Sequence, residues 1–407
     1  MTQNPPGQNS DLNRDSAAAS HGAPASNASR SQERIPELDG LRGLAIFLVI
    51  LYHYVAMAPH GSPHTWPSRI GTILGQGATG VDLFFVLSGF LIGGILLKTK
   101  TSPRYYKTFY LRRFHRIFPL YYGWILLFGV IMTVAGKMSG TWGAEFRTAI
   151  PYWAYFIFIQ NYFFGSTSVQ AVWLVQTWSL AVEEQFYLIS PPLVRNLSKP
   201  ALVKLLFAVV AFAFLFRVVL ATWFGPNHGN WGIFAAYFWT PSRADDLGLG
   251  VLAAVAWATP QTRQRLQENI RSIYLLLCAC AVSLFVMMFW LVKPNSYVEA
   301  TLGRPVYGVF FVSLLIVCLA DKQGKLAGVL RWRPLRELGR VSYCVYMIHD
   351  AVDWLAFRIV RHSEPRFDSV PTMALSVAAF VSTLVLAEVS WRYFEHPLIR
   401  RGHRYPY

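Results

Sequence analysis

Charged and titratable side chains are costly inside apolar segments, so those found there are the first candidates for chemistry. The apolar stretch 41–58 carries Arg42 at one end and His53 toward the other. Eleven residues of α-helix turn through about 1100°, which leaves the two side chains about 20° from a common face and about 16 Å apart along the axis. That separation resembles the reach of a pantetheine arm, from its phosphates to its thioester. An imidazole placed there can act as general base toward a hydroxyl, although a histidine bonded within a helix bundle looks the same in sequence.

A second stretch opens GVDLFFVLSGFLIGG, with Asp82 at a depth comparable with His53. Ser88, Gly89, Gly93 and Gly94 are small enough for close helix approach or for a narrow channel. A third, TWSLAVEEQFYLISPP, sets Ser179, Leu180, Glu183, Phe186 and Tyr187 on one helix face. Glu184 points about 100° away, and Glu183 lies about 8 Å inside the outer boundary, near His53 and Asp82 in depth. A carboxylate beside an imidazole fixes its tautomer and stabilises the imidazolium. The expected catalytic group is therefore His53, Glu183 and Asp82, with Glu183 rather than Glu184 as the working carboxylate. In YLRRFHRIFPLYY, Arg113 and Arg116 share a face at i and i+3. Their guanidinium forks suit phosphate oxygens, but an ordinary basic flank has the same appearance.

The elements that must position these groups are membrane helices. Of the 407 residues, 54% are hydrophobic, 15% aromatic and only 14% charged, whereas soluble domains carry about a quarter charged residues. Apolar segments run at about 41–58, 78–97, 117–135, 149–164, 173–194, 201–223, 244–258, 271–292, 303–320, 338–357 and 371–390. Lys98, Lys100, Arg104, Lys107, Arg112, Arg113 and Arg116 place the second loop in the cytoplasm. Arg400, Arg401 and Arg404 place the C-terminus there too. These assignments agree only if 149–164, loaded with Tyr, Trp and Phe, dips into the outer interface without crossing. The expectation is an all-α polytopic bundle of about ten spans, both termini cytoplasmic. Residues 1–34 read as a disordered tail, 35–400 as the transmembrane domain and 401–407 as a short basic tail.

The net charge of +16 follows from basic cytoplasmic loops, and no soluble segment is large enough to read nucleic acid. Cys278, Cys280, Cys318 and Cys344 all sit in apolar runs and read as small buried side chains rather than disulfides or metal ligands. No metal site is expected.

Several motifs in order resemble the acyltransferase-3 family of bacterial membrane O-acyltransferases, from about residue 35 to 400. They are PELDGLRGLAIFLVILYH with its Arg-x10-His spacing, GVDLFFVLSGFLIG, Arg113-x-x-Arg116 followed by IFP, and WSLAVEEQFYL. Weaker matches are PSRADDLGLGVLAA, which holds Arg243, LGRVSYCVYMIHDA, which holds His349, and EVSWRYFEHPLIRR. The resemblance implies that Arg42 and His53 are an essential pair, that Arg113 and Arg116 contact a coenzyme, and that Glu183 is the glutamate of the WSL motif. Ser88, Ser179, Glu184, Tyr187, Arg243 and His349 are secondary candidates. It also implies acetyl-CoA or another acyl-CoA as donor substrate, no permanently bound cofactor, and the bacterial inner membrane as location. The acceptor would be a surface or exopolysaccharide glycan, free or lipid-linked, or else a lipid, a peptide or a macrolide-like molecule. A transporter or flippase without chemistry is the contrasting class, but the chain shows no paired halves. Some members of the family add a further span and an outer esterase-like domain. With only about fifteen residues after the last span, that module is expected to be absent here, leaving both steps to this chain or the second to a separate extracytoplasmic acyl-accepting protein.

Overall fold

The computed structural model describes residues 35–60, 65–135, 148–164, 172–224, 231–287 and 296–407. The tail assigned to 1–34 lies outside the described residues. The described chain is helical, with no strand. Lipid offers the backbone no hydrogen bonds, and helices satisfy theirs internally.

Helix α1, Pro36–Leu51, continues into a π turn, Tyr52–Ala56, that carries His53. After α2 (Trp66–Leu74), α3 runs Gly80–Thr99 and α4 runs Tyr105–Ala135. Residues 149–164 hold no helix long enough to cross a membrane. They make the five-residue α5, Tyr152–Phe156, and a single 3₁₀ turn at Gln160–Tyr162. Then come α6 (Thr177–Asn196), α7 (Lys199–Trp223), α8 (Trp231–Phe238), α9 (Thr240–Ala258), α10 (Pro260–Glu268) and α11 (Ile270–Val286). The chain closes with α12 (Arg304–Ala320), α13 (Lys325–Leu330), α14 (Arg333–Arg361), α15 (Val370–Ser390) and α16 (His396–His403).

Six helical stretches are long and apolar enough to cross a membrane, or seven if the bent pair α10–α11 counts as one. Outer helices show their lipid-facing side directly: Phe207, Phe212 and Leu215 on α7 and Val377, Val381 and Val385 on α15 are exposed. Cys278 on α11 is exposed in the same way, against the expectation that all four cysteines are buried; the other three are buried, and none forms a disulfide.

Two glycine contacts set the inner packing. A Cβ on Gly89 of α3 would collide with the Leu247 carbonyl, and one on Gly250 of α9 would collide with the Val86 carbonyl. Gly43 of α1 and Gly339 of α14 meet in the same manner. Small residues let the backbones touch, which is how helices associate where water supplies no hydrophobic drive.

Candidate active site

Five helices deliver the sequence candidates to one place. Arg42 from α1, Ser88 from α3, Arg113 and Arg116 from α4, and Ser179, Glu183 and Tyr187 from α6 line a chamber of about 110 Å³, joined by Tyr346 of α14. The i, i+4, i+8 spacing on α6 puts its three polar groups on one face. Ser88 Oγ and Tyr187 OH are 2.7 Å apart, and both lie within hydrogen-bond reach of the Glu183 carboxylate. Glu183 makes no ion pair among the described residues, although three arginines share its chamber. Arg42 itself stands 3.7 Å from Asp39.

At its other end the chamber closes on Ser179 Oγ and Tyr346 OH, 2.6 Å apart. One turn beyond Tyr346 on α14 is His349, fully buried. Its Nδ1 lies 2.8 Å from the Tyr346 carbonyl, and its Nε2 lies 3.2 Å from His53 Nδ1 and 3.3 Å from Asp350 Oδ1. In the neutral pair these contacts fix the tautomers. The carbonyl takes the Nδ1 proton of His349, whose Nε2 faces both His53 Nδ1 and the Asp350 carboxylate. His53 Nδ1 also faces the Val49 carbonyl, 3.0 Å away, which accepts a hydrogen bond and cannot donate one. The proton of His53 therefore belongs on Nδ1, and its Nε2 is the basic nitrogen. A π turn carries this histidine, a backbone form often found at functional sites.

Sequence reading grouped three residues, His53, Asp82 and Glu183, and no hydrogen bond or ion pair joins Asp82 to His53 among the described residues. Asp82 is fully buried, with Arg243 at 2.9 Å and Arg304 at 3.1 Å. Arg243 also reaches Asp246 at 3.3 Å and Arg304 reaches Glu299 at 3.3 Å, while Arg217 holds Asp245 at 2.6 Å. Arg243, a secondary site candidate, thus belongs to this ionic network. No hydrogen bond or ion pair joins Glu183 to His53 among the described residues either. The first residues of α6 are buried in the bundle, and Gln160 donates to the Thr177 carbonyl at 2.9 Å. Ser179 is level with Tyr346; Glu183 lies one turn to one side and His349 one turn to the other, about 10 Å apart along the axis. Glu184 leaves the chamber for a second cavity, as the 100° offset requires.

Sequence reading missed Tyr346, Asp350, Arg304 and Gln160. Tyr346 sits three residues before His349, so the helical period pointed to it. Nothing local marks Gln160, whose partner is 17 residues away, and Arg304 has Glu299 nearby but meets Asp82 across 222 residues. The ligand atoms of His53, His349 and Asp350 lie within 4.8 Å of one another, close enough to hold a cation. The Val49 carbonyl beside His53 Nδ1 favours a protonated nitrogen there over a metal-bound one.

An all-helical membrane bundle enclosing a chamber between clustered arginines and a histidine pair has the parts of an acyl-transferring membrane enzyme, and residues 35–392 match the acyltransferase domain. The chain belongs to the acyltransferase-3 family and is a multi-pass membrane protein. It is similar to the peptidoglycan O-acetyltransferase OatA of Listeria monocytogenes, with 29% identity over 91% of this chain and 57% of the relative. The putative peptidoglycan O-acetyltransferase YrhL of Bacillus subtilis shares 30% identity over 91% and 56%. The O-acetyltransferase OatA of Staphylococcus aureus shares 26% over 92% and 58%. The chain thus spans a little over half the length of these relatives. No solved structure matches it.

Proposed function

We propose that this chain moves an acetyl group from cytoplasmic acetyl-CoA across the inner membrane toward a hydroxyl of a cell-wall or surface glycan. The observation that carries this reading is the file of polar side chains leading from Arg42, Arg113 and Arg116, past Glu183, Ser88 and Tyr187, to Ser179–Tyr346 and then His349–His53. The arginines hold the donor's phosphates by bidentate contacts. The thioester reaches along the chamber, and the basic Nε2 of His53 takes the proton of the attacking hydroxyl as the acyl–oxygen bond forms and the acyl–sulfur bond breaks, then gives that proton to the departing thiolate. His349 and Asp350 orient that imidazole and stabilise it once charged. Asp82, clasped by two guanidinium groups, holds the scaffold and does not accept a proton. No cofactor is bound permanently.

Ten spans with both termini cytoplasmic fit the same picture. Besides the seven apolar stretches, α6, α9 and α14 are 20, 19 and 29 residues long, enough to cross. They carry Glu183 and Glu184, Arg243, Asp245 and Asp246, and His349, Asp350 and Asp353. Seven and three make ten.

Peptidoglycan is the glycan that the names of the two Listeria and Bacillus relatives point to. The acceptor that first receives the acetyl group is the glycan hydroxyl or the nucleophile of an extracytoplasmic partner. Vesicles containing the chain and radiolabelled acetyl-CoA on the cytoplasmic side test the reading. Label should appear on glycan, or on an added partner, on the opposite side. If acetyl-CoA crosses or persists intact while glycan remains unlabelled, the enzyme reading fails and a transporter stands in its place.

A further inference from the structure

A second cavity, of about 530 Å³, opens beside the first between α4, α6 and the reversed outer segment. Its rim is apolar and faces outward: Phe114 is 49% exposed, Ile157 57% and Leu188 65%. On a spanning bundle such side chains meet lipid tails. Its interior is charged with both signs, Lys107 and Arg113 against Glu184. Glu184 Oε1 and Arg113 Nε are each buried without a hydrogen-bond partner, and the two side chains close no ion pair among the described residues. Buried polar atoms are nearly always satisfied, and an unsatisfied charged one costs several kcal/mol or about that order. Arg113 also lines the donor chamber, but Glu184 belongs to this cavity alone, and its orphan oxygen with the Lys107 ammonium on the same wall implies a ligand that supplies a donor to one and an anion to the other.

We propose that this cavity binds a phospholipid with a primary-ammonium headgroup. Its phosphate lies against Lys107, its ammonium donates to Glu184, and an acyl chain leaves across Phe114, Ile157 and Leu188. A quaternary choline headgroup has the same charges but no N–H to give Glu184. An anionic glycerol headgroup satisfies the cations and offers the carboxylate only a hydroxyl. This inference stands apart from the proposed reaction, since lipid retention is read without donor or acceptor.

The test is native mass spectrometry of the purified full chain with phosphatidylethanolamine, phosphatidylcholine and phosphatidylglycerol of identical acyl chains. Phosphatidylethanolamine should be retained about tenfold over phosphatidylcholine, as expected for one charge-assisted hydrogen bond. Glu184→Gln, which keeps the shape, should bring that ratio to within about twofold, and Lys107→Ala should weaken all three lipids. The wild-type comparison decides even if a variant folds poorly. Equal retention of the ethanolamine and choline lipids, or preference for the glycerol lipid, overturns the proposal. So does displacement of bound lipid by acetyl-CoA, which would make the cavity part of the donor route.

Discussion

Two regions of this bundle bury charge, and they do it in opposite ways. Around Asp82, four acids and three arginines from α3, α7, α9, α12 and the turn before it close ion pairs at 2.6 to 3.3 Å. Around Glu183, three arginines and a carboxylate share a 110 Å³ chamber, and its hydrogen bonds run to hydroxyls instead. In the first arrangement every acid has a guanidinium partner, although Arg217, Arg243, Asp245 and Asp246 each keep a buried atom without a hydrogen bond. The second leaves room and unspent guanidinium groups for a ligand that brings phosphate. Buried charge alone therefore does not mark chemistry in a membrane; the state of pairing and the presence of space do.

The sharpest break between the regions should come from His53→Ala. It touches no member of the Asp82 network and should lower acetyl transfer by about 10²–10⁴-fold, the usual loss on removing a general base. Membrane insertion and thermal midpoint should stay near wild type. Normal transfer by a well-expressed variant would take His53 out of the mechanism.

Asp82→Ala should do the reverse. It takes from Arg243 and Arg304 the carboxylate they share, leaving each with one acid, Asp246 and Glu299, and removing one partner of a buried pair destabilises by about 3–5 kcal/mol. Heating in detergent should show a markedly lower midpoint, and surviving activity per folded molecule should be near wild type. An Asp82→Asn protein that melts normally yet transfers nothing would move Asp82 back into the catalytic group.

Much of this was readable before any coordinates existed. The arginines, the polar face of α6 and the non-crossing of 149–164 follow from helical period, charge placement and aromatic content, all of which are local. What sequence did not give is which turns of two helices meet. Ser179 pairs with Tyr346, which sets Glu183 and His349 about two turns apart on α6 and α14. The ion pairs of Asp82 were illegible for a related reason: Arg243 and Arg304 are 161 and 222 residues away, and only the packed bundle brings them near.

Within the chamber, Arg113→Lys and Arg116→Lys keep the charge and lose the fork. Each should raise the acetyl-CoA concentration needed for half-maximal rate by about tenfold, the worth of one hydrogen bond to a charged group. Unchanged donor dependence in both would reduce these arginines to topological flanks. Glu183→Gln should lower turnover by about tenfold and Glu184→Gln by less, since only the first shares the chamber with Arg42. The reverse ranking would put the reaction in the second cavity.

The smallest expected effect is none, from chelation. His53, His349 and Asp350 are spaced so that a cation could sit among them, and a metal there would turn His53 from a base into a ligand. The backbone argues for the base. Val49 O lies one turn before His53 and 3.0 Å from its Nδ1, where a proton is bonded and a coordinated nitrogen would face a carbonyl with nothing between them. His349 Nδ1 is likewise directed at the Tyr346 carbonyl, which orients that ring with or without an ion. Overnight dialysis against EDTA should therefore leave transfer within about twofold of the untreated protein, and added Zn²⁺ should inhibit by occupying the basic nitrogen. Activity lost on chelation and restored by a divalent ion would instead make the histidine pair a metal centre. The His53→Ala result would then report ligand loss, and the contrast with the Asp82 network would become one between two ways of neutralising charge.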